Sequence, residues 1–72
     1  MVEYFEKKFK GKKVVVARGR KVPKGTTGTC FWIGSKPIFK HNGYQVATQY
    51  KCGVKDSNGS VYWTDPFNLE LA

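Results

Sequence analysis

The stretch from Gly11 to Cys30 limits what this chain can fold into more than any other. Its three consecutive valines, Val14 to Val16, are stiff at χ1 and suit a pleated strand better than a helix. The strand cannot run far. Gly19, Gly25 and Gly28 relax the backbone, and Pro23 has no N–H to give to a ladder. A second β-rich run, Thr29 to Ile33, follows at once, so the sequence predicts strand, loop, strand. Arg18, Arg20, Lys21 and Lys24 lie in or beside that same loop, which gathers positive charge where the chain turns.

At 72 residues the chain is one small domain, 1–72, near the size at which a core is hard to complete. Aliphatic residues are scarce, so the core is expected to draw on the five Phe, four Tyr and two Trp, each able to remove ~150–250 Å² from water. The expected class is all-β, with about five short antiparallel strands in a small SH3-like barrel, closed or nearly so. Closure would protect the edges of so small a sheet. Residues 1–10 form an N-terminal extension whose type stays open. Val2, Phe5 and Phe9 share a helical face, yet Tyr4 to Glu6 also suits an extra strand.

Further along, Lys12 to Arg18 is the first strand, with Val14 and Val16 on one face and Lys13, Val15 and Ala17 on the other. In Thr29 to Ile33, strict alternation puts Cys30 and Trp32 opposite Phe31 and Ile33. Gly34 to Gly43 reads as a loop, because it contains Lys36-Pro37 and the turn dipeptide Asn42-Gly43. Gln45 to Lys55 is the next strand, with Tyr50, Cys52 and Val54 on one side. Asp56 to Gly59 is a hairpin turn and Ser60 to Thr64 the returning strand. Asp65-Pro66-Phe67 breaks it as a single 3₁₀ turn, before a short final strand from Asn68 to Leu71.

The net charge of +8 is unevenly spread. Residues 1–24 hold nine basic and two acidic side chains, residues 25–55 four basic and none acidic, and residues 56–72 three acids and no base. A basic two-thirds of this kind favours a polyanionic partner. No apolar run is long enough for a signal peptide or membrane span. Two cysteines, Cys30 and Cys52, with no short-range pair suggest reduced thiols in a cytoplasmic protein.

The pattern Gly11, Val14, Val16, Gly19, Lys24-Gly25, Gly28, with Cys30 two residues on, resembles the KOW motif, the strand–loop–strand element of ribosomal proteins and NusG-type transcription factors. Cys30 stands where the motif usually has an aliphatic residue, and the turn from Arg20 to Lys24 is more basic and looks extended. The resemblance implies an SH3-like barrel that contacts RNA or DNA, or docks on polymerase or ribosome, and modulates transcription or translation.

The expected site is a basic face. Arg18, Arg20, Lys21 and Lys24 meet phosphates along a nucleic acid. Trp32, Lys36, Phe39 and Lys40, with His41 and Tyr44 close by, interleave aromatic rings and cations that could stack an unpaired base. Trp32 could equally be core, and Phe39 could fold back as a lid. Lys12 and Lys13, with Lys7, Lys8 and Lys10, add diffuse charge. Cys30, His41 and Cys52 fall short of a zinc signature, and neither a cofactor-binding motif nor a catalytic constellation stands out. The expectation is a monomeric, non-enzymatic nucleic-acid-binding protein without metal or cofactor. The rival is a module docking on an acidic surface of polymerase, ribosome or a nucleoid protein, and the third option is a domain whose charge only keeps it soluble.

Overall fold

The computed structural model describes all of residues 1–72. The chain opens with helix α1 (Val2–Phe9), followed by strands β1 (Lys13–Val16), β2 (Thr27–Phe39), β3 (Gln45–Lys55) and β4 (Val61–Thr64). A 3₁₀ turn (Pro66–Asn68) leads into β5 (Leu69–Leu71). All five strands are antiparallel to their neighbours in one sheet of order β4-β3-β2-β1-β5.

The N-terminal segment is therefore a helix rather than a strand. Phe5 and Phe9, one turn apart, both point into the core, where they are 3% and 1% exposed. Glu3 in the first turn and Lys7 and Lys8 in the last suit the helix dipole. Phe5 meets Phe67 edge-on at 5.0 Å and Tyr50 at 5.6 Å, so the helix ties β3 to the 3₁₀ turn. The strand ladders leave that side of the sheet uncovered, and α1 covers it.

The core consists of Phe5, Phe9, Val14, Val16, Val22, Cys30, Ile33, Cys52, Val54 and Leu69. This corrects the expectation of an aromatic core. Both tryptophans, together with Tyr4, Phe31, Phe39, Tyr44 and Phe67, are exposed. Val22, within the loop between β1 and β2, is 6% exposed and anchors that loop from its middle. The loop's base is tied by Gly25 N–H to the Val16 carbonyl and Val16 N–H to the Thr26 carbonyl, each 2.8 Å.

Cys30 and Cys52 are fully buried free thiols. The Cys52 thiol lies 3.2 Å from the Thr64 carbonyl as a donor. The neighbouring Cys30 thiol and burial together push the Cys52 pKa up.

Three expectations change. The sheet does not close, because no ladder joins β4 to β5, which are its two edges. Residues 34–39, expected as loop, continue β2 as far as Phe39 opposite Gln45. Pro37 is tolerated there because β1 covers β2 only from Thr27 to Thr29, which leaves the other side of the strand free. Strict alternation in β2 also fails. Cys30 pairs with Val54 and Trp32 with Gly53, so Phe31 is a bulge residue. Cys30 and Ile33 both turn inward, and Phe31 and Trp32 both turn outward.

Past the body, residues 35–49 form a two-stranded arm exposed on both faces, which helps give the molecule its 43 × 24 × 19 Å shape. The Asp56–Gly59 turn forms as expected. Asp56 accepts from the N–H groups of Asn58 and Ser60 at 2.9 Å, and Gly59 has φ 85°. Asp65 caps the 3₁₀ turn by accepting from Phe67 N–H at 2.8 Å.

The helix is thus a structural part of the core and not an appendage. Phe9→Ala is expected to cost about 3–5 kcal/mol, a large share of the roughly 5–15 kcal/mol typical of a domain. Guanidinium denaturation followed by far-UV circular dichroism measures it, and a loss below about 1 kcal/mol would show that the helix does not hold the core.

Candidate nucleic-acid interface

Strand register decides which side chains share the outer face, because residues paired across a ladder point the same way. One row runs Lys13–Thr29–Lys55–Val61, from β1 to β4. The next runs Trp32–Gly53–Trp63, with the bulged Phe31 beside it. Beyond it come Gly34 opposite Lys51 and Lys36 opposite Gln49. An aromatic row thus crosses three strands with lysines on both sides, successive rows being about 6.7 Å apart along a strand. Acid in these strand pairs is confined to Glu70 on the edge strand β5, opposite Val15.

The aromatic row is built on glycine. Trp63 meets Phe31 at 5.8 Å and Trp32 at 5.7 Å, both edge to face. A Cβ on Gly53 would come within 2.7 Å of Phe31 Cζ and 2.9 Å of Trp63 Cζ3. One on Gly34 would sit 2.6 Å from Trp32 Cζ2. With no side chain at either position, the three rings can crowd down over the sheet, Trp63 standing steeply to Phe31 and Trp32 at interplanar angles of 69° and 76°. They remain substantially open to solvent, Phe31 at 41%, Trp32 at 44% and Trp63 at 47% exposed.

Two hollows border this row and share Gln49 and Lys51. One is lined by Trp32, Gly34, Ser35 and Lys36. The other brings Arg20 and Lys21 from the basic loop against Tyr50, Trp63, Thr64, Asp65 and Asn68. Lys10–Glu6 is the single ion pair in the molecule, so the other twelve of thirteen cations have no carboxylate partner.

The structure separates some residues that the sequence grouped. Arg20 and Lys21 reach the aromatic row, but Arg18 does not. Its Nε donates to the Phe67 carbonyl at 2.9 Å, and its Nη2 donates to the same oxygen. Arg18 therefore lines a different hollow, with Tyr4, Phe5 and Phe67, and pins the loop to the 3₁₀ turn. Lys24 is exposed on the loop. Lys12 turns back to the helix, donating to the Lys7 carbonyl at 2.9 Å, whereas Lys13 stands on the outer face.

Trp32 is not core, and Lys36 is next to it. Phe39 does not fold back as a lid; it is 57% exposed near the end of the arm, adjoining Lys40 and the turn that carries His41. No three His, Cys, Asp or Glu side chains are grouped as metal ligands would be. No helix is long and apolar enough to cross a membrane.

Phe31, Lys51, Lys55 and Trp63 were missed as site residues. Lys51 and Lys55 could have been read from alternation with Tyr50, Cys52 and Val54. Trp63 gave no local signal, because only the β3–β4 register sets it opposite Gly53.

No protein-family model, curated protein or solved structure matches the chain.

If Gly53 seats the rings, Gly53→Ala must lift Phe31 and Trp63 off the sheet. The expected result is a changed near-UV circular dichroism signal from the tryptophan pair with far-UV circular dichroism preserved. Identical near-UV spectra would show that the rings do not rest there.

Proposed function

We propose that this chain is a non-catalytic nucleic-acid-binding protein acting through the outer face of its sheet. One observation carries the reading: Lys13, Lys36, Lys51 and Lys55, with Arg20 and Lys21 at the rim, lie on or beside one aromatic-lined face, and none has a carboxylate partner. Cations held this way are free to release counterions from a polyphosphate backbone. Arg20 can also fork onto two phosphate oxygens, whereas the lysines act as point charges.

The fold finds its place in the same proposal. A meander whose fifth strand returns beside the first is a five-stranded barrel lacking one ladder, between β4 and β5. That arrangement supports an SH3-like reading, and with it the KOW-like assignment of Gly11 to Cys30. On this reading the protein works on the transcription or translation machinery, in the reducing cytoplasm where Cys30 and Cys52 stay free.

Four to six phosphate contacts give a slope of log K against log salt of roughly −3 to −5. Changing Arg20, Lys21, Lys36 and Lys51 together to Ala should weaken binding to every sequence and reduce that slope by about 3. Fluorescence anisotropy across a salt series measures both. Affinity indifferent to salt would rule out the mechanism.

A second reading has its own observation. The arm exposes Ile38 and Phe39, opposite Ala47 and Gln45 on one face, an apolar pair better suited to a protein than to phosphate. Protein partners that persist in a pull-down after nuclease treatment would favour a docking module. Partners lost with the nucleic acid would favour the first reading.

A further inference from the structure

Resting on the nucleic-acid reading, we infer that the ligand of the outer face is a single strand, DNA or RNA, whose unpaired bases stack on Phe31, Trp32 and Trp63. In a chain this short, aromatic side chains are the largest apolar bodies available for a core. Both tryptophans are nevertheless outside, on a surface from which Gly34 and Gly53 remove the side chains that would lift the rings. The floor under the rings serves the surface and not the interior.

The setting of the rings selects the occupant. Lys51 precedes the aromatic row along β3 and Lys55 follows it, with Lys36 one step beyond Lys51 across the ladder on β2. A strand laid along β3 would keep phosphates beside lysines while its bases turned down onto the rings. In a duplex the base faces are already stacked on one another. A duplex would therefore meet the lysines and leave the rings unused. An acidic peptide would match the charge but has no flat π-faces for the rings. Base–aromatic stacking also tolerates sequence, since every base has a π-face.

The two tryptophans of the chain are both in the row, so intrinsic tryptophan emission reports on this face alone. The experiment titrates the full chain with oligothymidylate and oligouridylate of about ten nucleotides, within the span a small single-strand module covers. A matched duplex and polyglutamate serve as controls, and anisotropy of labelled oligonucleotides follows binding independently. The single strands are expected to quench emission as they saturate, and the duplex and polyglutamate are not. Relative strength of the oligothymidylate and oligouridylate responses assigns DNA or RNA.

Trp32→Ala and Trp63→Ala should each weaken single-strand binding about 5- to 150-fold, while Trp32→Phe and Trp63→Phe retain most of it. Because quenching is read on the unaltered protein, a misfolded variant does not remove the test. Binding seen by anisotropy without quenching, or a duplex bound as tightly as a single strand, overturns the stacking platform and leaves the nucleic-acid reading standing. Equal quenching by polyglutamate overturns the platform as well. No binding to any oligonucleotide at low salt overturns both.

Discussion

Between Cys30 and Trp32 the β2–β3 ladder takes up one residue more on β2 than on β3, and Phe31 is that residue. Without it, the period of two would carry Trp32 inward beside Cys30 and send Ile33 out. With it, Cys30 and Ile33 both serve the core, and two adjacent aromatics face outward on the same side. The interior and the candidate site thus hang on one irregularity. Bulges also increase local twist, which suits a strand that leaves the body beyond this point.

The division of large side chains follows from that geometry. Inside are valines, cysteines, Ile33 and Leu69, with Phe5 and Phe9 delivered from outside the sheet by the helix. No polar residue is buried, and no buried side-chain polar atom lacks a partner. An interior of this kind has little apolar material to spare, so the helix matters out of proportion to its eight residues. Arg18 belongs to the same scheme. Its charge looked available in the sequence, but its guanidinium holds the Phe67 carbonyl, at the turn against which Phe5 packs.

Much of the architecture was legible because it rests on local chemistry. Gln45 to Lys55, the Asp56–Gly59 turn and the Asp65–Pro66 break all carry their own signals in turn residues or alternation, and the structure places them where those signals lie. The extension of β2 through Pro37 was not legible. Proline is an obstacle only where its N–H is needed, and whether β1 reaches that far depends on the chain before Lys13, which is helix α1 and the turn after it. The basic loop was half legible. Its charges could be counted, but Val22 in the core and Arg18 on Phe67 decide which of them are free, and both contacts are non-local. The candidate site was least legible, because it needs Phe31, Trp32, Gly53 and Trp63 from three strands. The resemblance pointed to the basic loop, which now forms only the rim.

The arm has a thermodynamic consequence. Beyond Cys30, β2 has only β3 beside it, and before Cys52, β3 has only β2. Every residue from Ser35 to Gln49 is exposed, so this segment brings little buried surface to its own stability. A hairpin on its own is marginal in water. The molecule therefore has two levels of order: a body whose elements share one buried core, and a ribbon that can fray and reform while the body stays intact. Fraying would start at the Asn42-Gly43 tip and stop near Ile33 and Cys52, where burial begins. The aromatic row stands just inside that limit, so it keeps its shape while the segment beside it is free to change its own.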